Sequence, residues 1–181
     1  MRKAIIFVLV FGLIFWVILL FYFSTRPPLV SDKQAKWLYR ALKTLDERLD
    51  FSKTKLFEKV REFFTQIWFK GQKANSVEFL RKSAHFGLYL CLGAIAFFLF
   101  LAYTRKLPAA VLTGISLPAL VGVFDEYAQS FVGRGSRLED VIVDVSGAVT
   151  GVLFSLIFFF LYKVFERVRR RWSRERGPVR R

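Results

Sequence analysis

Residues 124–151, FDEYAQSFVGRGSRLEDVIVDVSGAVTG, decide how this chain folds, because they place a dense polar cluster between two apolar runs. The polar side chains of the cluster are Asp125, Glu126, Gln129, Arg134, Arg137, Glu139, Asp140 and Asp144. Each flanking run is long enough to cross a bilayer, and Asp144 lies a full turn inside the second run. Charged side chains within a membrane segment are energetically expensive and usually mark function. The stretch therefore predicts a membrane protein with a site at one end of its helices.

The composition supports the same class of protein. Of the 181 residues, 54% are hydrophobic and 22 are phenylalanine, whereas ordinary soluble domains are about 45 to 50% apolar. The formal net charge is +15, but the basic residues adjoin apolar segments. Juxtamembrane Lys and Arg fit anionic lipid and topology better than a base-stacking surface, so no nucleic-acid partner is predicted.

Cysteine and histidine limit the chemistry. The single cysteine, Cys91, cannot form an intrachain disulfide, and the single histidine, His85, rules out His-rich or Cys/His zinc arrangements. The carboxylates of the cluster offer oxygen ligands that suit Mg²⁺ or Ca²⁺, but no spacing requires an ion. The sequence therefore predicts no metal and no cofactor.

Hydropathy predicts four transmembrane helices, over residues 4–23, 84–104, 107–124 and 141–162. The first run has twenty residues without a charge, which at about 1.5 Å per residue spans the hydrocarbon core. A cleaved signal peptide is the competing interpretation, but the run is long for one and no small-x-small cleavage site follows it. An uncleaved anchor is favoured.

Residues 31–73 have apolar side chains at helical spacing and predict two amphipathic helices. Ser31 with Gln34 forms a candidate capping box for the first helix, and the second stops at Gly71. Asn75, with Glu78 three residues later, predicts the cap of the next helix. The amphipathic helices suit either a position flat on the membrane interface or a hairpin packed on the membrane domain.

Small residues predict how the last two spans pack. Gly114, Pro118, Gly122 and Glu126 recur at four-residue intervals. Asp140, Asp144, Gly147 and Gly151 share one face of the last span, and glycines allow another helix to approach closely. Pro118 cannot donate to the Gly114 carbonyl, which predicts a break there. The face with Gly147 and Gly151 is a candidate dimer seam unless it packs internally.

The positive-inside rule predicts that both termini are cytoplasmic, because the basic start, the turn at residues 104–106 and the basic tail share one side. The long segment 24–83 carries fourteen basic and seven acidic residues on the outer side, and long loops follow the rule poorly. This topology brings polar groups from three spans to one outer level of a multi-pass protein of the cell membrane.

Asp125 and Glu126 follow an apolar helix and would meet the negative end of its dipole, so they need a cation, a proton or a continuation of the helix. Arg134 and Arg137 are the nearest cations, with a structural ion pair and a substrate-facing role both open. Asp140 has a structural explanation in a capping box of Ser136 and Glu139.

His85 next to Asp125 or Glu126 would make either an acid/base pair or a structural hydrogen bond. Gln129 shares the helical face of these two carboxylates, so it is placed to orient one of them or a bound headgroup. The sequence does not separate these roles.

Three motifs together carry a resemblance to a known family. They are Lys82-x-x-His85-Phe86, Asp125-Glu126-x-x-Gln129, and Gly133-Arg134-x-Ser136-x-x-x-Asp140 followed by Gly147. In this order and placement they resemble the VanZ-like family, over residues 80 to 160, whereas the first 75 residues carry no motif of that family. The chain departs from the pattern at Asp144, where the family usually has Asn.

The resemblance implies an integral envelope protein linked to glycopeptide resistance of the teicoplanin type. Two functions follow as expectations. In the first, an outward-facing polar site binds an anionic lipid, a lipid-linked cell-wall intermediate or a lipoglycopeptide. In the second, the protein is an intramembrane hydrolase or transferase acting on a lipid phosphate, with His85, Asp125 and Glu126 as candidate catalytic residues. The candidate ligand-binding residues are Lys82, Gln129, Arg134, Arg137, Asp140 and Asp144.

The predicted fold is an all-α integral membrane protein, with an amphipathic helical hairpin between the first and second spans. Its predicted parts are an N-terminal anchor at residues 1–23, an interfacial segment at 24–79, a three-helix core at 80–162 and a basic cytoplasmic tail at 163–181. The expected partners are membrane lipid, a wall precursor or a lipoglycopeptide antibiotic, with a homodimer as a further candidate.

Overall fold

The computed structural model describes residues 2–69, 75–133 and 137–175. Its helices are α1 (Arg2–Ser24), α2 (Pro28–Leu49), α3 (Lys55–Phe69), α4 (Ser76–Thr104), α5 (Leu107–Phe131) and α6 (Leu138–Glu175), with a 3₁₀ turn at Phe51–Lys53. Within these described ranges there is no strand. Among the described residues, four helices, α1, α4, α5 and α6, are long and apolar enough to cross a membrane, which confirms the predicted all-helical fold and the predicted number of candidate spans.

The helix starts follow local chemistry, with one correction. Asn75 caps α4 as predicted, because its side chain accepts a hydrogen bond from the Val77 N–H at 3.2 Å. The predicted cap at Ser31 is wrong. The helix α2 already begins at Pro28, since the fixed φ of proline suits the first helical position. Ser136, the other predicted cap, lies outside the described residues.

Both later spans continue beyond their predicted ends. The helix α5 passes through Pro118 and ends only at Phe131, so the predicted break at the proline does not end it. Asp125 and Glu126 consequently lie inside the helix and not at its negative end. The helix α6 runs on to Glu175, so the first part of the basic tail extends the last span.

The bundle is built on close contact between α4 and α6. A Cβ atom added at Gly147 would collide with the Phe86 carbonyl oxygen, and one added at Gly151 would collide with that of Leu90. From the other side, a Cβ at Gly93 would lie 2.7 Å from the Ala148 carbonyl oxygen. The predicted glycine packing face is confirmed, and it is used inside the chain.

The helix α1 lies antiparallel to α4. Near its start, Arg2 Nε donates to the Ala102 carbonyl at 2.9 Å, and further along Trp16 Nε1 donates to the Leu88 carbonyl at 2.9 Å. Leu20 is buried with Tyr89 in the same contact. The C-terminal ends of α1 and α5 therefore meet the N-terminal ends of α4 and α6.

The two amphipathic helices occupy the segment where they were predicted. The helix α2 contacts α4, and α3 contacts α6. At the end of α3, the buried Trp68 ring lies 5.6 Å from the Phe86 ring, measured between centroids. Both helices thus border the polar end of the bundle.

Candidate functional site

Buried polar side chains collect where α1 and α5 end and α4 and α6 begin. They include Lys82, Asp125, Glu126, Gln129 and Asp144, and each is at least nine-tenths buried. The sequence predicted this convergence from three spans. The fourth contributor, Ser24 at the end of α1, is also buried and was missed.

Lys82 is buried at the polar end of the bundle, where it contacts Asp140 and the end of α3. Its Nζ lies 3.1 Å from Asp140 Oδ1 and donates to the Trp68 carbonyl at 3.3 Å. The ammonium also lies 4.7 Å from the Phe69 ring centroid, a distance suited to a cation–π contact. Asp140 therefore acts as the counter-ion of Lys82, in addition to its favourable place in the first turn of α6.

His85 contacts Asp144, and a carboxylate oxygen of Asp125, one of the two predicted partners, lies within 4.8 Å of its imidazole. Its Nδ1 lies 3.5 Å from Asp144 Oδ1, and the Asp144 side chain is 0% exposed. Tyr89, one turn after His85 and fully buried, brings its hydroxyl next to the same carboxylate. The sequence suggested Asp125 or Glu126 and missed Asp144, because it does not reveal how far α6 is rotated toward α4.

Gly122 makes room for this carboxylate. A Cβ at position 122 would lie 3.3 Å from Asp144 Oδ2 and 3.6 Å from Cε1 of Tyr89. A Cβ here would therefore press on the Asp144 carboxylate and would be in van der Waals contact with Tyr89. The small residue in α5 is what allows an aspartate of α6 to sit between helices.

Asp125 joins α5 to α1. Its Oδ2 accepts hydrogen bonds from Ser24 Oγ at 2.6 Å and from Gln129 Nε2 at 2.9 Å. The Gln129 amide also donates to Ser24 Oγ at 2.6 Å. Gln129 therefore orients a carboxylate, which is one of its two predicted roles. Ser24 carried no signal in the sequence, because a serine at the end of an apolar run is common and its partner lies 101 residues away.

Glu126 fixes the start of the last span. Its Oε2 accepts a hydrogen bond from the backbone N–H of Arg137 at 2.9 Å. The sequence pointed to the arginine side chains as the nearest partners, whereas this contact uses the main chain. Arg134, the other predicted arginine, lies outside the described residues.

A polar cavity of about 400 Å³ opens among these groups. Its charged lining comprises Asp32, Glu78, Arg81, Lys82, His85, Glu126, Arg137, Asp140 and Asp144. Among the lining residues in the described ranges, five are carboxylates and three are permanent cations. Asp32 belongs to α2, so the segment between the first two spans forms part of the wall.

An apolar groove of about 760 Å³ adjoins the cavity. It runs between α1, α2 and α4, and its lining includes Trp16, Leu20, Trp37, Leu38 and Leu88. Arg81 and His85 line both the groove and the cavity. The two spaces therefore meet at a cation and an imidazole.

Three side chains of the site have the donor types of a metal centre. The ligand atoms of His85, Asp125 and Asp144 all lie within 4.8 Å of one another. Asp125 and Asp144 are 0% exposed and His85 is partly buried. The sequence predicted no metal, because these residues come from three helices and no local spacing joins them.

The fold and the site together define a multi-pass helical membrane protein that gathers buried charges and an open cavity at one end of its bundle. A family model described as VanZ/LLP1 matches residues 8–162. The chain belongs to the VanZ/LLP1 family, as its motifs indicated. The match begins far before residue 80, so it includes α1 and with it Ser24. No curated protein and no solved structure matches the chain.

Proposed function

We propose that the protein binds an amphiphile with a phosphate-bearing head, such as an anionic lipid or a lipid-linked wall intermediate. The observation that carries this proposal is the junction of the polar cavity with the apolar groove at Arg81 and His85. An amphiphile needs a polar space and an apolar space side by side. Arg81 stands at the boundary, where a guanidinium can meet a phosphate at the top of a hydrocarbon chain.

The helix α2 has a part in this site. It supplies Trp37 and Leu38 to the groove and Asp32 to the cavity, so it lies along both compartments. We propose that α2 and α3 rest at the membrane interface with their apolar faces toward the bundle and the lipid, where such helices bind well. In that position α2 covers the hydrocarbon chain of the bound amphiphile.

Binding can be measured by tryptophan quenching. Trp16 and Trp37 line the groove, so a brominated lipid acyl chain within the groove quenches their fluorescence. The detergent-solubilised full chain is titrated with brominated phosphatidylglycerol and, separately, with brominated phosphatidylcholine. We expect stronger quenching by phosphatidylglycerol, because its phosphate carries a net negative charge that Arg81 can pair with. In phosphatidylcholine the choline cation neutralises the phosphate.

Two matched variants test the groove. A Cβ atom at Gly87 or at Gly12 meets nothing within 4 Å, so a side chain can start from either backbone position without a clash. Gly87 lines the groove and Gly12 does not. We expect Gly87→Phe to abolish the excess quenching by the anionic lipid and Gly12→Phe to leave it intact. Excess quenching that survives in Gly87→Phe would contradict the proposal.

We propose further that the site faces outward and contributes to glycopeptide resistance. With Cys91 replaced by serine, Ser130→Cys at the site end should react with a membrane-impermeant maleimide on intact cells, and Lys106→Cys at the opposite end should not. Labelling in the reverse order would place the site at the cytoplasmic leaflet. In a susceptible host, teicoplanin protection by the chain should be lost in Glu126→Ala.

A second function, acid/base chemistry on a lipid phosphate, is favoured by the contact of His85 with Asp144. A carboxylate at 3.5 Å from Nδ1 can orient an imidazole that removes a proton from an attacking water. The test is release of inorganic phosphate from a polyisoprenyl diphosphate by the wild type and by His85→Ala. Absence of release by the wild type would eliminate this function and leave the binding function in place.

A further inference from the structure

The floor of the polar cavity contains a carboxylate without adequate partners. Asp144 is 0% exposed, and within the described residues neither of its oxygens makes a hydrogen bond of normal geometry. Its nearest donors are His85 Nδ1 at 3.5 Å and the adjacent Tyr89 hydroxyl. A buried carboxylate is normally stabilised by strong hydrogen-bond donors or by a cation. The Asp144 carboxylate therefore needs a further partner.

Within the described residues, no lysine or arginine side chain forms an ion pair with Asp144. Lys82 lies 3.1 Å from Asp140 and is already bound to the Trp68 carbonyl. Carboxylates outnumber permanent cations among the described lining residues of the cavity. An additional positive charge at the floor would balance the site.

We infer that His85, Asp125 and Asp144 bind a divalent first-row transition ion, with Zn²⁺ and Mn²⁺ as the best matches. One imidazole with two carboxylates is a ligand set that both ions accept. Two ligand atoms each about 2.1 Å from one ion lie about 3 to 4 Å apart. The 3.5 Å between His85 Nδ1 and Asp144 Oδ1 falls in this range. The ligand atoms of all three residues lie within 4.8 Å of one another, so side-chain movements of about 1 Å bring the set onto one ion.

The surroundings of Asp125 suit a ligand. Ser24 and Gln129 both donate to its Oδ2, and hydrogen bonds of this kind orient metal-binding carboxylates. The ion would face a cavity of about 400 Å³, which supplies room for water or an anion to complete its coordination. A lipid phosphate is one such anion, and only this last step rests on the proposed function.

Metal binding and proton transfer make opposite demands on His85. If Nδ1 holds an ion, its lone pair cannot accept a proton. Occupancy of this site therefore assigns His85 to ligand binding and not to general base catalysis at that atom.

The test is a Mn²⁺ titration of the full chain, stripped of metal with EDTA and kept in detergent without added lipid. Binding is measured as the decrease in the electron paramagnetic resonance signal of free Mn²⁺. The wild type should bind one ion per chain. Asp144→Asn should bind more than about 100-fold more weakly, a greater loss than removal of an outer hydrogen-bond partner produces. The matched control is Glu166→Gln, which removes a carboxylate from the same helix outside the cavity, where it pairs with Arg170, and should alter affinity by less than about twofold.

Thermal unfolding distinguishes loss of the ion from loss of the fold. In EDTA, Asp144→Asn should unfold at or above the wild-type temperature, because it removes an unsatisfied buried charge. Zn²⁺ should raise the unfolding temperature of the wild type and not that of Asp144→Asn. Absence of stoichiometric Mn²⁺ binding, or equal losses in Glu166→Gln and Asp144→Asn, would overturn the inference. Lipid quenching repeated in EDTA reports separately on the proposed function.

Discussion

The glycine-packed middle of the bundle and its polar end differ in how closely their helices pack. In the middle, Gly147 and Gly151 let α6 lie against the backbone of α4, so that no space is left. At the end, the same two helices line a cavity, and Asp144 is buried there without adequate hydrogen bonds. The difference indicates that the middle stabilises the bundle and the polar end keeps an open site, since membrane-buried charge is retained mainly for function.

The largest expected effect is in the packed middle. Gly147→Ala places a methyl group on the Phe86 carbonyl, and relieving that overlap requires movement of a helix backbone. We expect the free energy of unfolding to fall by about 3 kcal/mol or more. Thermal unfolding in detergent, followed by circular dichroism, measures the change.

The control is on the helix that Gly147 touches. A Cβ at Gly87 meets nothing within 4 Å, so Gly87→Ala should raise stability by up to about 1 kcal/mol through helix propensity. If Gly147→Ala proves as stable as Gly87→Ala, the helices do not pack as closely as the structure shows.

The sequence revealed the packing of this middle better than the pairing at the polar end. Gly147 and Gly151 share a helical face in any straight helix, so their role follows from spacing alone. The partner of His85 depends on the rotation and height of α6 against α4. Those quantities are set by packing of whole helices, which is why the contact of His85 with Asp144 was not predicted.

A smaller effect is expected at the link between α1 and α5. Ser24→Ala removes a hydroxyl that donates to Asp125 and accepts from Gln129. Both partners are buried, so the loss should cost about 1 to 3 kcal/mol. Chemical unfolding of the detergent-solubilised chain gives the value.

The neighbouring residue provides the comparison. Thr25 Oγ1 donates at 2.7 Å to the Phe21 carbonyl within its own helix, so Thr25→Ala should have little effect. Equal losses in the two variants would mean that Ser24 does not hold α1 in place.

The smallest effect is expected at Ser155, the buried serine of the packed middle. It is 3% exposed, about as buried as Ser24, but its Oγ donates at 2.8 Å to the Gly151 carbonyl one turn earlier in α6. A bond of this local type contributes little, because that carbonyl also serves the helix. Ser155→Ala should therefore change the free energy of unfolding by no more than about 0.5 kcal/mol.

A larger residue at the same position sharpens the contrast. Ser155→Val adds volume where neighbouring side chains leave little space, and it should destabilise the chain by about 1 to 3 kcal/mol. Ser155 would then be sensitive to size and Ser24 to loss of its hydroxyl, as expected if shape governs the middle and hydrogen bonding governs the polar end. Should Ser155→Ala cost as much as Ser24→Ala, hydrogen bonding would matter equally in both regions, and the distinction between them would fail.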